Sequence, residues 1–380
     1  MPLPRSYDVV GCLRCGMVYA DTAAPQADYD RYYARFSRYE DPSIATGGLS
    51  SARDTTRFTD LAEFLAARVA TTTPVLDVGC AGGGLLAALS ARGFQTLHGV
   101  DGAAGCVDQV RAMGFTATCL AVSELRSWEC NERFGLVVIS HVLEHVVDAR
   151  GVLAGAGRLA ETDGLIYVET PDASRYSDFD FAPFYFFDTE HINHFDPGRL
   201  ARLGAEAGFD SMSTGTRDLE VAPGRLYPAG WAVLRPGKSA ARAVPRDGDQ
   251  DLIGRVAAYV ERCRNAAPDK RIETLAASGR PVVVWGAGSF AQRLFADGEI
   301  LRCRVVAVVD RDRNKRGRLL SGFRIESPEE AFRRITDAVI LVAAAVDEAA
   351  IVAEARTLSP ESEILTLAPP RPPDAGIPGS

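Results

Sequence analysis

Long hydrophobic runs are missing from this chain. No window approaches the roughly 20 consecutive apolar residues that a bilayer-spanning helix needs, and the longest apolar run, Ala338–Val346, suits a buried strand. Positive charge is in deficit, with 42 Lys and Arg against 50 Asp and Glu for a net charge of -8. That balance argues against general nucleic-acid binding, which wants a basic face. Cysteine is sparse: eight thiols scattered over 380 residues do not make a disulfide framework. The opening residues, Met-Pro-Leu-Pro-Arg-Ser-Tyr-Asp, lack the apolar core of a secretory signal. These deficits point to a cytoplasmic protein without membrane or nucleic-acid partners, and they leave the oligomeric state open.

What is present is ordinary globular material, 47% hydrophobic and 24% charged. At 380 residues the chain exceeds what one core usually organises, so two or three domains are expected. The most informative stretch is 75–84, Val-Leu-Asp-Val-Gly-Cys-Ala-Gly-Gly-Gly, an apolar strand running into a glycine turn, with helical character from Leu85 onward. Such a turn lets backbone lie against a ligand at the carboxyl edge of a sheet. A second strand ends in Asp101, 22 residues beyond Gly79, a spacing at which an acid reaches both hydroxyls of a ribose. Asp77 lies inside the first strand, where a carboxylate repels phosphates but can orient an ammonium group. A third strand, Phe134–Ser140, leads into His141-Val142-Leu143-Glu144-His145.

With these residues in place the chain resembles the class I methyltransferases that use S-adenosylmethionine. The turn matches their Asp-x-Gly-x-Gly-x-Gly-like first motif, except that Ala81 replaces the middle glycine; Ala81 costs little if its φ is negative. Gly135 stands where that family usually has aspartate. The resemblance implies that Asp77, Gly79, Cys80, Gly82 and Gly83 contact the methionine half of the cofactor, that Asp101 binds the ribose, and that Ser140 and His141 lie at the cofactor's edge. It also places residues around Ala121–Glu124 beside the adenine. His141-x-x-Glu144-His145 spells an inverted zinc-protease pattern as well, with both histidines on one helix face; the strand directly before it favours the methyltransferase reading.

The richest catalytic segment is Phe184–Pro197, which holds two of the five histidines beside Glu190 and among aromatics that exclude water. A histidine next to a carboxylate can serve as a general base near neutral pH; the structural alternative is a capping segment whose histidines only bond locally. The Glu190-His191 pair, a CxxC-Gly at Cys12 and Cys15, and a second nucleotide-type fold narrow the resemblance to the sugar C-methyltransferases that act on nucleotide-linked keto-deoxysugars. That resemblance implies proton abstraction next to a ketone by His191, assisted by Glu190, and it puts His194 where the family commonly has tyrosine. The same base would serve an O-methyltransferase.

The resemblance also implies zinc at Cys12 and Cys15, yet these are half a site and structural zinc takes four ligands. No other cysteine precedes Cys80 and no histidine precedes His98. Two buried thiols of a small lobe are the simpler reading.

Tyr33 and Tyr39 are candidates to pave the substrate pocket. A second strand and glycine turn, Val282–Gly288, with Asp310 lying 24 residues past Gly286, repeats the nucleotide pattern. Gly286, Gly288 and Asp310 are thus candidates for holding the substrate's nucleotide, or for NAD in an oxidoreductase. A module that binds cofactor without turnover is a further alternative. The expected organisation is α/β: an N-terminal lobe (1–45), a class I Rossmann-like methyltransferase domain (46–234), a linker and helix (235–275), a second Rossmann-like domain (276–367), and a proline-rich disordered tail (368–380).

Overall fold

A computed structural model of the chain describes residues 3–35, 52–237 and 251–367, apart from residues 5, 180, 182, 223, 224, 267, 268, 297, 314 and 345–347. Tyr39, the 45/46 boundary, most of the linker and the 368–380 tail lie outside the described residues. Two compact units emerge: Met1–Phe179 with Phe187–Tyr259, and Asp180–Phe186 with Val260–Ser380. No helix among the described residues is long and apolar enough to cross a membrane.

The first unit starts with β1 (Asp8–Gly11), β2 (Val18–Asp21) and α1 (Gln26–Arg35). The alternating units follow: α2 (Ala52–Ala66), β3 (Val75–Val78), α3 (Gly84–Ala91), β4 (Leu97–Asp101), α4 (Ala104–Ala112), β5 (Thr116–Cys119), β6 (Phe134–Ser140), α5 (Ala149–Leu159) and β7 (Ala160–Pro171). After β8 (Asn193–His194) and α6 (Pro197–Glu206), the long hairpin of β9 (Phe209–Ala222) and β10 (Arg225–Pro236) completes the sheet. Strand order is β5-β4-β3-β6-β7-β10-β9, parallel through β7, with β10 antiparallel to both of its neighbours. All four residues of β3 are buried, as expected for a central parallel strand covered on both faces. One face packs Val78, Ile139, Leu153 and Leu200, and the other Leu61, Leu65, Leu86 and Val107.

The chain winds outward from β3 to β4 and β5, then returns to β6 on the other side of β3. That reversal opens a crevice at the carboxyl ends of β3 and β6, where open α/β sheets take their ligands. The topology therefore delivers the glycine turn and Ser140-His141 to one place. The Cys-containing lobe belongs to the same unit, because β8 adds to its small sheet in the order β1-β2-β8, pairing His194 with Val18 and Asn193 with Tyr19.

The second unit holds α8 (Lys270–Ser278), β11 (Pro281–Trp285), α9 (Ser289–Ala296), β12 (Arg304–Val309), β13 (Leu319–Leu320), β14 (Phe323–Glu326), α10 (Pro328–Phe332), β15 (Val339–Val342), α11 (Glu348–Leu358) and β16 (Ile364–Thr366); α7 (Asp251–Arg264) runs into it from the first. Its order is β13-β14-β12-β11-β15-β16, parallel except for the β13–β14 pair. The architecture is α/β with a class I Rossmann-like sheet and a second Rossmann-like domain.

Candidate active site

The crevice above β3 and β6 is lined by Asp77, Gly79, Cys80, Ala81, Asp101, Ser140 and His141 from the sheet edge, by Arg57 and Phe58 of α2, by Tyr33 of α1, and by His145. Ala121 and Val122 close it on the side expected for the adenine. Gly79 has a φ of +77°, and a Cβ there would collide with Val142. Gly83, with φ +80°, caps α3. Gly82 and Gly83 shape the turn without lining the cavity.

Ala81 corrects the sequence reading, because its φ is +43°, in the left-handed region. Its amide donates to Asp101 Oδ2 at 2.9 Å, and Asp101 Oδ1 accepts from the amide of Ala103 at 2.8 Å. The carboxylate thus ties the glycine turn to the end of β4, and each oxygen keeps a lone pair for a hydroxyl. Burial pushes the pKa of Asp101 up against those two hydrogen bonds. Asp77 is 4% exposed, and burial together with the charge of Asp101 raises it to about 7 despite Arg57 nearby. Arg57 Nε is buried without a partner. Cys80 packs its thiol over Gly99, where a Cβ would come 2.6 Å from Sγ.

Beside this crevice runs a chain of buried acids and half-buried imidazoles. Glu169, at the end of β7, accepts from Ser140 Oγ at 2.9 Å and pairs with Arg217. His141, also in the left-handed region at φ +56°, has Nε2 3.5 Å from Glu169 and Nδ1 3.2 Å from Glu144. His145 Nε2 is 3.8 Å from Glu144 Oε1, and the His145 and His191 rings meet edge to face at 4.9 Å. Burial would raise Glu169, but Arg217 and His141 outweigh it and hold that acid well below its usual range. In Glu144 burial is likewise overcome, chiefly by His141 and His145. Burial and Arg57 pull His141 down, yet Glu144 and Glu169 leave it above its ordinary value. Burial and the neighbouring His145 lower His191 to about 4.

The segment carrying His191 is laid down by backbone pairing: Ile192 N donates to Glu144 O at 2.6 Å, Ala20 N donates to Ile192 O at 2.7 Å, and Asn193 Nδ2 donates to Val146 O at 2.7 Å. Glu190 does not face the imidazole of His191 through its carboxylate. Its Oε1 accepts from Tyr32 Oη at 2.5 Å and its Oε2 from Tyr33 Oη at 3.2 Å. The acid grouped with the imidazole pair is Glu144, itself followed directly by His145 in the sequence, an adjacent Glu-His pair that the sequence reading gave to the post-strand motif rather than to this role. Ser-His-x-Leu-Glu-His is the signal that could have found them, since Leu143–His145 form a short 3-10 turn straight after β6. That turn is too short to set His141 and His145 on one face of a helix, as the zinc-protease reading requires.

His194 is fully buried, facing Phe187 and Tyr176 edge on, with Nδ1 3.1 Å from Tyr176 Oη, and it does not line the crevice. Burial lowers its pKa to about 3. Cys12 and Cys15 are partly exposed rather than buried. Gly16, with φ +70°, closes their turn through a 2.7 Å bond from its amide to Cys12 O. Among the described residues no third metal-binding side chain joins them. In the second unit a Cβ on Gly286 would sit 2.6 Å from Ala343 O, whereas Gly288 has open space around it. Asp310 accepts from Ala287 N at 2.7 Å, Asp312 N at 2.8 Å and Lys315 Nζ at 3.1 Å.

Residues 51–214 match a family model described as a methyltransferase domain. That match spans less than half of the chain and covers the part that holds β3 to β7 and the crevice above them. Among characterised relatives, the ubiquinone biosynthesis O-methyltransferase of Neisseria meningitidis serogroup A is 28% identical over 155 residues, covering 37% of this chain and 65% of that protein. The enzyme of the same name from Rhizobium rhizogenes is 33% identical over 100 residues, covering 25% of this chain and 40% of that protein. The chain therefore matches about 65% or less of these relatives' length. Among solved structures, the magnesium protoporphyrin IX methyltransferase of Synechocystis gives a TM-score of 0.40 at 15% identity, over 55% of this chain and 99% of that one. The 1,6-didemethyltoxoflavin-N1-methyltransferase of Burkholderia thailandensis gives 0.39 at 15% identity, over 60% and 98%.

Proposed function

We propose that the chain transfers the methyl group of S-adenosylmethionine to a small-molecule acceptor. One observation carries this reading: the Asp77–Gly79–Asp101 cradle and the imidazole of His145 line the same cavity. Asp77 would take the cofactor's ammonium group, Arg57 its carboxylate, and Asp101 its ribose hydroxyls. The cofactor supplies an electrophilic carbon: the acceptor's electron pair forms the new bond to methyl while the C–S electrons leave on sulfur. The protein's own task is to relieve the acceptor of a proton. His191, with His145 and Glu144 around it, is the group we assign to that task, and Glu190 acts on the site through Tyr32 and Tyr33.

The narrower reading is methylation of carbon next to the ketone of a nucleotide-linked sugar, supported by the Glu190-His191 order and by the second nucleotide-type turn at Gly286–Gly288 with Asp310. O-methylation is the second reading, favoured by the names of the relatives from Neisseria and Rhizobium. Calorimetry against S-adenosylmethionine and NAD tests the class: binding of NAD with none of S-adenosylmethionine would overturn it. Incubating keto sugars with the protein in heavy water tests the atom, because exchange of the α proton without cofactor belongs to the carbon route alone. Turnover of His191→Ala should fall at least about 100-fold, the scale of a lost general base.

A further inference from the structure

Glu144, His145 and His191 each offer a ligand atom, and the three atoms lie within 4.8 Å of one another. Glu144 is 1% exposed, yet its Oε2 has no hydrogen-bond partner, and His191 Nδ1 is buried without one. A buried polar atom left unpaired costs about 1–3 kcal/mol, so two in one cluster call for a group that satisfies both. A cation would satisfy both, since each atom carries a lone pair and neither needs to donate.

The surroundings orient these ligands as supporting residues do around metals. His145 Nδ1 lies 2.9 Å from the carbonyl oxygen of Glu190 and 2.7 Å from Tyr33 Oη. A carbonyl only accepts, so Nδ1 carries the proton and Nε2 keeps its lone pair on the side of Glu144. His141 Nδ1 stands 3.2 Å from Glu144 Oε1, which leaves Oε2 of that carboxylate unused. Two imidazoles and one carboxylate suit zinc, cobalt, nickel or iron; magnesium and calcium prefer oxygen-only shells. Three protein ligands also leave coordination positions open, as catalytic rather than structural sites do.

We propose that Glu144, His145 and His191 bind one divalent transition-metal cation beside the cofactor crevice, there to hold an oxygen of the methyl acceptor. The purpose of the cation rests on the methyl-transfer reading, its presence does not, and one assignment in that reading changes with it: an imidazole that ligates the cation cannot take a proton, so with metal bound the acceptor oxygen is acidified by the cation and its proton passes to solvent rather than to His191. An acceptor hydroxyl or enolate oxygen on the cation gains a partner for its negative charge, and His145, which lines the crevice, places that oxygen on the cofactor's side. The acceptor class is then a hydroxylated or enolisable compound.

The test uses the full chain carrying Cys12→Ser and Cys15→Ser, so that thiolates cannot contribute. Metal-stripped protein is titrated with Co²⁺ alone, followed by its visible absorption, and S-adenosylmethionine binding is measured on the same samples. Uptake of one equivalent, weakened at least about 100-fold by Glu144→Gln and by His191→Ala, is the expected result, since even loss of a supporting residue costs 10–100-fold. No stoichiometric uptake, or affinity unchanged in both variants, overturns the proposal. If the double cysteine variant does not fold, the unmodified chain serves equally well, because thiolate ligation adds a near-ultraviolet charge-transfer band that this nitrogen and oxygen set lacks. Failed uptake with intact S-adenosylmethionine binding sinks the metal site alone; intact uptake without S-adenosylmethionine binding sinks the proposed function alone.

Discussion

Asp101 Oδ2 lies 2.9 Å from the amide nitrogen of Ala81, so the residue that would bind ribose also clamps the turn that would receive the methionine moiety. The two halves of the cradle are mechanically one. Asp101→Ala should therefore weaken S-adenosylmethionine binding by roughly 10- to 100-fold, the range of a lost hydrogen bond to a charged group. Asp101→Asn, which keeps one accepting oxygen, should lose less. Calorimetry on both variants measures this, and equal affinities in all three proteins would separate the clamp from the ligand.

Ala81 holds a left-handed backbone at φ +43°. An L-residue there is strained by about 1–2 kcal/mol, and glycine removes the strain at an entropic cost of about 0.4–1 kcal/mol. Ala81→Gly should thus stabilise the ligand-free protein by up to about 1.5 kcal/mol, read from denaturant midpoints. A clear loss of stability would mean that the Ala81 methyl packs usefully.

Asp77 gives the pH dependence. With its pKa raised to about 7 by burial and by Asp101, it is protonated in the ligand-free protein below that pH. In the proposed contact the cofactor's ammonium group needs the ionised form, so binding below pH 7 would release a proton. Between pH 5.5 and 7 affinity should fall by about tenfold per unit of acidification, since each unit costs 1.36 kcal/mol. Calorimetry in buffers of different ionisation enthalpy counts the proton directly, and Asp77→Asn should abolish the slope along with most of the affinity.

His194 sits in an aromatic cage rather than on the crevice. His194→Phe loses the contact to Tyr176 and adds a ring atom to a fully buried site, so it should cost about 1–3 kcal/mol of stability and leave kcat and KM within about twofold. A selective rise in KM for the acceptor would instead give His194 a place at the substrate.

The glycine-turn side of the crevice was legible in the residues because it rests on local rules: a strand, a turn whose φ of +77° at Gly79 favours glycine, and an acid one strand later. All of Asp77, Gly79, Asp101, Ser140 and His141 reach the crevice. The acid-imidazole chain was harder to read because it is assembled across the sequence. Glu190 stands beside His191 in the chain, and adjacency suggested a pair, yet the backbone turns its carboxylate to Tyr32 and Tyr33, 158 and 157 residues earlier. Glu144 meets His141 and His145 within its own segment, and His191 is brought to it by the pairing of Ile192 with its carbonyl. Arg57 lies on an amphipathic helix with nothing in its neighbours to announce a ligand. The sign of φ at Ala81 is set by the clamp to Asp101, which no local pattern encodes.

The pairing of Val18 with His194 has a consequence for biosynthesis. The β1–β2 hairpin is translated before the strand that completes its little sheet, which follows some 170 residues later. The corner that holds His191 must therefore close late during synthesis, after the nascent hairpin has waited through most of the nucleotide-type sheet. Deleting the first twenty or so residues would deprive that corner of its scaffold, even though none of the reacting groups would be removed.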